Sequence, residues 1–220
     1  MSARPAPLPT VLTIVPSRDV AREHLVRRAR FLAWVGLMWH AVEAGVAVAA
    51  GVAAGSIALI GFGADSLIEL AAGLVVLWLF SGSRPISERR AQQLIALSFY
   101  LLAAYVGVGA VRDLAGAAHP HTSWAGIALA GVAAATMPPL AIAKARLGRA
   151  LGSSAATSES RQSWLCAYLS LALLVGLGGN AAFGWWWLDP IVGLVIVGVA
   201  VREGCASWRG QSCCTAPCCR

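Results

Sequence analysis

The sequence predicts an all-α integral membrane protein with six transmembrane helices and both termini in the cytoplasm. Three observations carry that expectation. Of the 220 residues, 58% are hydrophobic and only 12% charged, and the mean hydropathy is +0.71. Soluble domains run near 25% charged, so the charges here are too few to coat a globule of this size. Six apolar runs follow one another across short connections, and each is close to the roughly 20 residues that span about 30 Å of hydrocarbon. The basic residues fall almost entirely in alternate connections.

Residues 1–30 form a polar arm. It carries Arg4 and three early prolines but lacks the apolar core and cleavage pattern of a secretory signal. Within it, 19–30 is expected to form a short helix along the anionic inner leaflet. The six runs are 31–50, 56–80, 94–111, 124–143, 163–183 and 185–201. None alternates as a barrel strand does. Without water, each backbone amide must bond within its own segment, so helices are the expected form. Gly45, Ala49, Gly55 and Gly73 suit close helix approach in lipid. Pro138-Pro139 is expected to kink the fourth helix or end its regular part. Gly184 to Trp187 reads as a tight outer turn with an aromatic belt. Residues 31–203 thus make one six-helix domain, and 204–220 a short Cys-rich cytoplasmic tail.

With the N-terminus inside, the inner segments hold 16 of the 17 basic residues, Lys144 among them, and only Arg112 is left outside. So lopsided a count follows the positive-inside rule and places a multi-pass protein in the cell membrane. The arginines are dispersed among the spans, which excludes nucleic acid as the partner and leaves the lipid bilayer.

Charges within the spans are the best functional clue. Each costs at least roughly 2.5–3.5 kcal/mol, so retained ones face a cavity or a partner. The second run contains Gly61-Phe62-Gly63-Ala64-Asp65-Ser66-Leu67-Ile68-Glu69. Asp65 and Glu69 are four apart and share one helix face. Two carboxylates so close repel each other and lose hydration. A divalent cation relieves both costs, and so do one or two protons. His40 and Glu43 share a face of the first helix, and counting from the outer ends puts all four residues at similar depth. They either ligate metal or orient the carboxylates of the second helix.

Asp-Ser-Leu-Ile-Glu in a glycine-rich second helix resembles the cation diffusion facilitators, six-helix proton-coupled exporters of divalent metals. The resemblance covers 31–203 and includes Asp189-Pro190 at the start of the sixth run. It implies a tetrahedral site, commonly for zinc, made from two acidic residues of helix 2 and a His and an Asp four apart on helix 5. Here Gln162 and Cys166 stand at those two positions. The implied set is therefore Asp65, Glu69, Gln162 and Cys166, with His40 as a substitute nitrogen donor. A thiolate suits zinc, cadmium or a similar soft ion. Gln162 falls at the cytoplasmic edge of its run and Asp65 deeper, so helix tilt is needed to bring them together. The family's cytoplasmic domain is absent from 204–220, where Cys213, Cys214, Cys218 and Cys219 offer four thiolates for metal capture. His119 and His121 flank Pro120 in an outer loop, as weak metal contacts on release or as an incidental pair.

The expected function is proton-coupled efflux of a divalent transition-metal ion, with zinc, cadmium, cobalt or iron as cargo and no permanent cofactor. The expected protein is an antiporter, not an enzyme, and a possible homodimer. The alternative is a non-transporting membrane protein that binds or senses metal through its Cys-rich tail.

Overall fold

The computed structural model describes residues 18–80, 88–116, 120–152 and 154–209. These residues form six helices and no strand: α1 (Arg18–Ala54), α2 (Ile57–Phe80), α3 (Glu88–Leu114), α4 (Trp124–Leu151), α5 (Ser154–Phe183) and α6 (Leu188–Trp208). Five of them, all but α2, meet the length and apolarity needed to cross a membrane among the described residues. In each, only 28–39% of the most apolar stretch is buried within the protein. The remainder turns outward. On α3, Leu94, Leu97, Leu101, Tyr105 and Val108 are all exposed at helical spacing, a continuous apolar stripe. Such surfaces are compatible with a multi-pass membrane protein.

All the helices but α2 are longer than the apolar runs. Residues 19–30 are not a separate surface helix but the opening turns of α1, which continues unbroken to Ala54. No glycine or proline lies between Arg18 and Gly36 to interrupt it. α4 likewise runs through Pro138 and Pro139 to Leu151, so the proline pair does not end it. Pro139 is exposed and Pro138 half-buried, which lets the rings stand off the packed face.

Pairing follows chain order with one exchange: α1 packs on α2, α4 on α5, and α3 on α6. α2 touches α1, α3, α5 and α6, and so occupies the centre. One core joins Leu59, Phe62, Met137, Leu173 and Leu177, and a second joins Phe99, Val106, Ala110 and Ala200. At Gly63 the backbones of α1 and α2 come so close that a Cβ would sit 2.9 Å from the Val48 amide nitrogen.

One end of the bundle is tied by polar contacts between chain segments far apart in sequence. The Ser56 hydroxyl donates to the Asp189 carboxylate, and the amide of Ala58 donates to Asp189 at 3.4 Å. The same Ser56 oxygen accepts from Leu59 N at 3.1 Å and caps α2. His121 N–H donates to Ala54 O at 2.8 Å, and the Asn180 side chain donates to Pro120 O at 3.0 Å. The Gly184 turn stands at this end too, with φ +69° and the Phe183, Trp185 and Trp187 rings stacked beside it. The opposite end carries the starts of α1, α3 and α5 and the finish of α6.

Candidate metal centre

Four donor-bearing side chains from three helices converge inside the bundle. His40 and Glu43, three apart on α1, face inward with 5% and 0% exposure. Glu69 comes from α2 and Cys166 from α5, at 5% and 1%. Ser66 of α2 places its hydroxyl 3.0 Å from Glu43 Oε2 and so locks α1 to α2 at this level. His40 Nδ1 lies 3.1 Å from the same oxygen in hydrogen-bonding geometry. The Cys166 thiol reaches Glu43 at 3.7 and 3.9 Å. His40 Nδ1 is also 3.0 Å from Glu69 Oε2. It has at most one proton to give, and Glu69 Oε2 is buried without a hydrogen bond among the described residues.

A carboxylate oxygen buried without a hydrogen bond is costly, and a cation beside it removes that cost. The donors are one nitrogen, one sulfur and two carboxylates, with donor atoms all within 4.8 Å of one another. Bonds of about 2.0–2.3 Å to a tetrahedral zinc-like ion put its ligand atoms about 3.3–3.8 Å apart. The observed spacings reach that geometry with shifts of about 1 Å or less. No family model and no curated protein matches this chain.

Beside the cluster lies a cavity of about 10 Å³, on the order of one water molecule. Its walls repeat the cluster one turn further along each helix. Leu37 precedes His40 by three residues, Gly73 follows Glu69 by four, and Gln162 precedes Cys166 by four. On the antiparallel α1 and α2, and on α5, these steps all lead toward the end where α1 begins. Lys144 of α4 and Ser163 complete the wall, with Lys144 Nζ donating to Ser163 Oγ at 3.2 Å.

The set inferred from the sequence is thus divided. Glu69 and Cys166 join His40 and Glu43. Gln162 lines the cavity beside Glu69. Asp65 is buried, at 7% exposure, but outside the group of four. His121 is exposed, and its backbone N–H engages Ala54 O. His119, Cys213, Cys214, Cys218 and Cys219 lie outside the described residues.

Two residues escaped sequence reasoning. Lys144 reads as one more inner-side charge, yet it is 5% exposed and sits against the cluster. The signal was its place on the buried stripe of α4, between Met137 and Ala141 on one side and Gly148 on the other. Ser66 lies inside the helix 2 motif but serves Glu43 of α1.

Proposed function

We propose that this chain is a secondary transporter of the cation diffusion facilitator kind, carrying a zinc-like divalent cation out of the cytoplasm in exchange for protons. The observation that carries the reading is the convergence of His40, Glu43, Glu69 and Cys166 within 4.8 Å, all buried. On this reading α2, with Asp65 and Glu69 as its only charges over 24 residues, is the sixth span. The arginine-bearing end of the bundle faces the cytoplasm.

The donors do the work as follows. Thiol, imidazole and carboxylates bind metal in their proton-free forms, so ion capture expels protons and reprotonation expels the ion. His40 supplies the nitrogen that the fifth helix lacks. Cys166 biases the site toward soft ions. Glu43 and Glu69 offset the charge of the cation. Asp65 adds a further carboxylate one turn from Glu69. Because the ligands come from α1, α2 and α5, a shift of one helix against the others dismantles the site and releases the cargo on the far side.

The test is metal-stimulated proton flux in proteoliposomes with Zn²⁺, Cd²⁺, Co²⁺, Fe²⁺ and Mn²⁺. Glu69→Gln and Asp65→Ala serve as controls. Flux with one or more ions, abolished by Glu69→Gln, is the expected outcome. Folded protein that binds metal but moves no protons with any ion refutes transport and favours a binding or sensing role.

A further inference from the structure

The chain has 16 arginines and a single lysine. Every arginine whose exposure is described is exposed, whereas Lys144 is 5% exposed. Among the described residues, the surface cations are arginines and the buried one is Lys144. Lys144 occupies a position on the packed stripe of α4 otherwise held by Ala130, Ala133, Met137 and Ala141. Its surroundings accommodate an ammonium group. Gly36 of α1 is cut away beside it, since a Cβ there would stand 3.0 Å from Lys144 Nζ. Ser163 accepts one of its protons. The cavity that Lys144 lines is shared with Glu69 and His40.

Three carboxylates, Glu43, Asp65 and Glu69, are buried at this level of the bundle. Asp189 is also buried, but it is engaged with Ser56 and Ala58 at the tied end. Uncompensated buried carboxylates are strongly disfavoured. A lysine ammonium is a compact charge on a flexible stem, unlike the rigid fork of Arg. It can sit against a carboxylate and withdraw when another cation arrives.

We propose that Lys144 is the resident counter-cation of the metal centre, neutralising the Glu69 side of the site until the cargo displaces it. The inference rests on the metal-transport reading above. Lys144 is then a positioning residue that weakens metal binding and in doing so speeds release. It stands on the side of the cluster toward the start of α1, and a cation arriving from that side passes it.

The experiment uses the full-length chain in lipid nanodiscs. Cd²⁺ affinity is read by competition with a fluorescent chelator, and Cd²⁺-stimulated proton flux is read in proteoliposomes. Lys144→Met and Lys144→Gln both remove the charge while keeping a stem of similar length, and Lys144→Arg keeps the charge. The expected result is that the Met and Gln variants bind Cd²⁺ at least about tenfold more tightly and turn over more slowly, while the Arg variant gains no affinity. A merely structural lysine predicts loss of affinity on removal. Unchanged or weakened binding in both neutral variants, with the wild type binding Cd²⁺, overturns the role of Lys144 alone. A wild type that binds no Cd²⁺ overturns the metal site and this inference together.

Discussion

Replacing Gly63 by alanine tests whether the contact between α1 and α2 sets the geometry of the proposed metal centre. A Cβ at residue 63 would lie 2.8 Å from Val48 Cγ2, 2.9 Å from Val48 N and 3.0 Å from Ala47 Cβ. Ordinary van der Waals contact begins near 3.4 Å. The Val48 methyl group can turn aside, but the backbone nitrogen cannot, so α1 must move off α2 by roughly 0.5–1 Å. Ser66 follows Gly63 by three residues and Glu69 by six, and their contacts to Glu43 and His40 are both 3.0 Å. A displacement of that size stretches both contacts to about 3.5–4 Å, at or beyond the limit of a hydrogen bond, and spreads the donors. Overpacking of this kind costs about 1–3 kcal/mol, a melting temperature lowered by roughly 2–12 °C. Gly45 is the matched control: it is on the same helix pair, but its Cβ would meet nothing within 4 Å. There the same substitution gains about 0.4–1 kcal/mol from lost freedom in the unfolded chain. Tryptophan-monitored melting in detergent and Cd²⁺ competition binding are the assays. Gly63→Ala should melt lower and bind at least about tenfold more weakly, whereas Gly45→Ala should melt no lower and bind as wild type. A Gly63→Ala protein that equals the wild type in both refutes the argument.

Further expectations separate the residues of the centre. Glu43→Gln should weaken Cd²⁺ binding by about tenfold or more and exceed the loss in Asp65→Asn, because Glu43 meets His40, Ser66 and Cys166 while Asp65 lies outside the group of four; the same competition titration reads both. Cys166→Ser should lower the preference for Cd²⁺ over Mn²⁺ by about tenfold or more, measured as the ratio of the two affinities. Ser56→Ala removes both the cap on Leu59 N and the donor to Asp189; it should cost about 0.5–2 kcal/mol of stability, seen as a lower melting temperature, with Cd²⁺ affinity unchanged because the site is elsewhere in the bundle.

Helix positions were legible because lipid-length apolar runs leave few alternatives, and the inner-facing acids stood out against them. The helix ends were not. Residues 19–30 are polar and so resembled a surface helix, but nothing in them breaks the backbone, and α1 absorbs them. The site was half legible. Asp65 and Glu69 share a face, but which of the two meets other donors depends on the rotation of α2 against α1, and that is set by the close approach at Gly51 and Gly63. Such an approach is a tertiary fact that no spacing rule reports. His40 and Glu43 were visible at the right depth, but which side chains converge is a property of the packed bundle. Lys144 was hidden by its neighbours Arg146 and Arg149, both exposed, which made the segment look like a uniform solvated run.

The tied end of the bundle also places the protein on an energy scale. Ser56 with Asp189, His121 with Ala54, and Asn180 with Pro120 join the three interhelical junctions there. Each bond is worth about 0.5–1.5 kcal/mol net, so parting all three costs on the order of 1.5–4.5 kcal/mol. A conformation parted at that end and otherwise equal in energy would be populated at roughly 10% down to 0.1%. On the transport reading, a latch of this strength keeps the bundle shut at that end while ions reach the cavity beside Lys144. The same reading needs it weak enough for the difference between a loaded and an emptied centre to reverse, the thermodynamic footing of alternation between two faces.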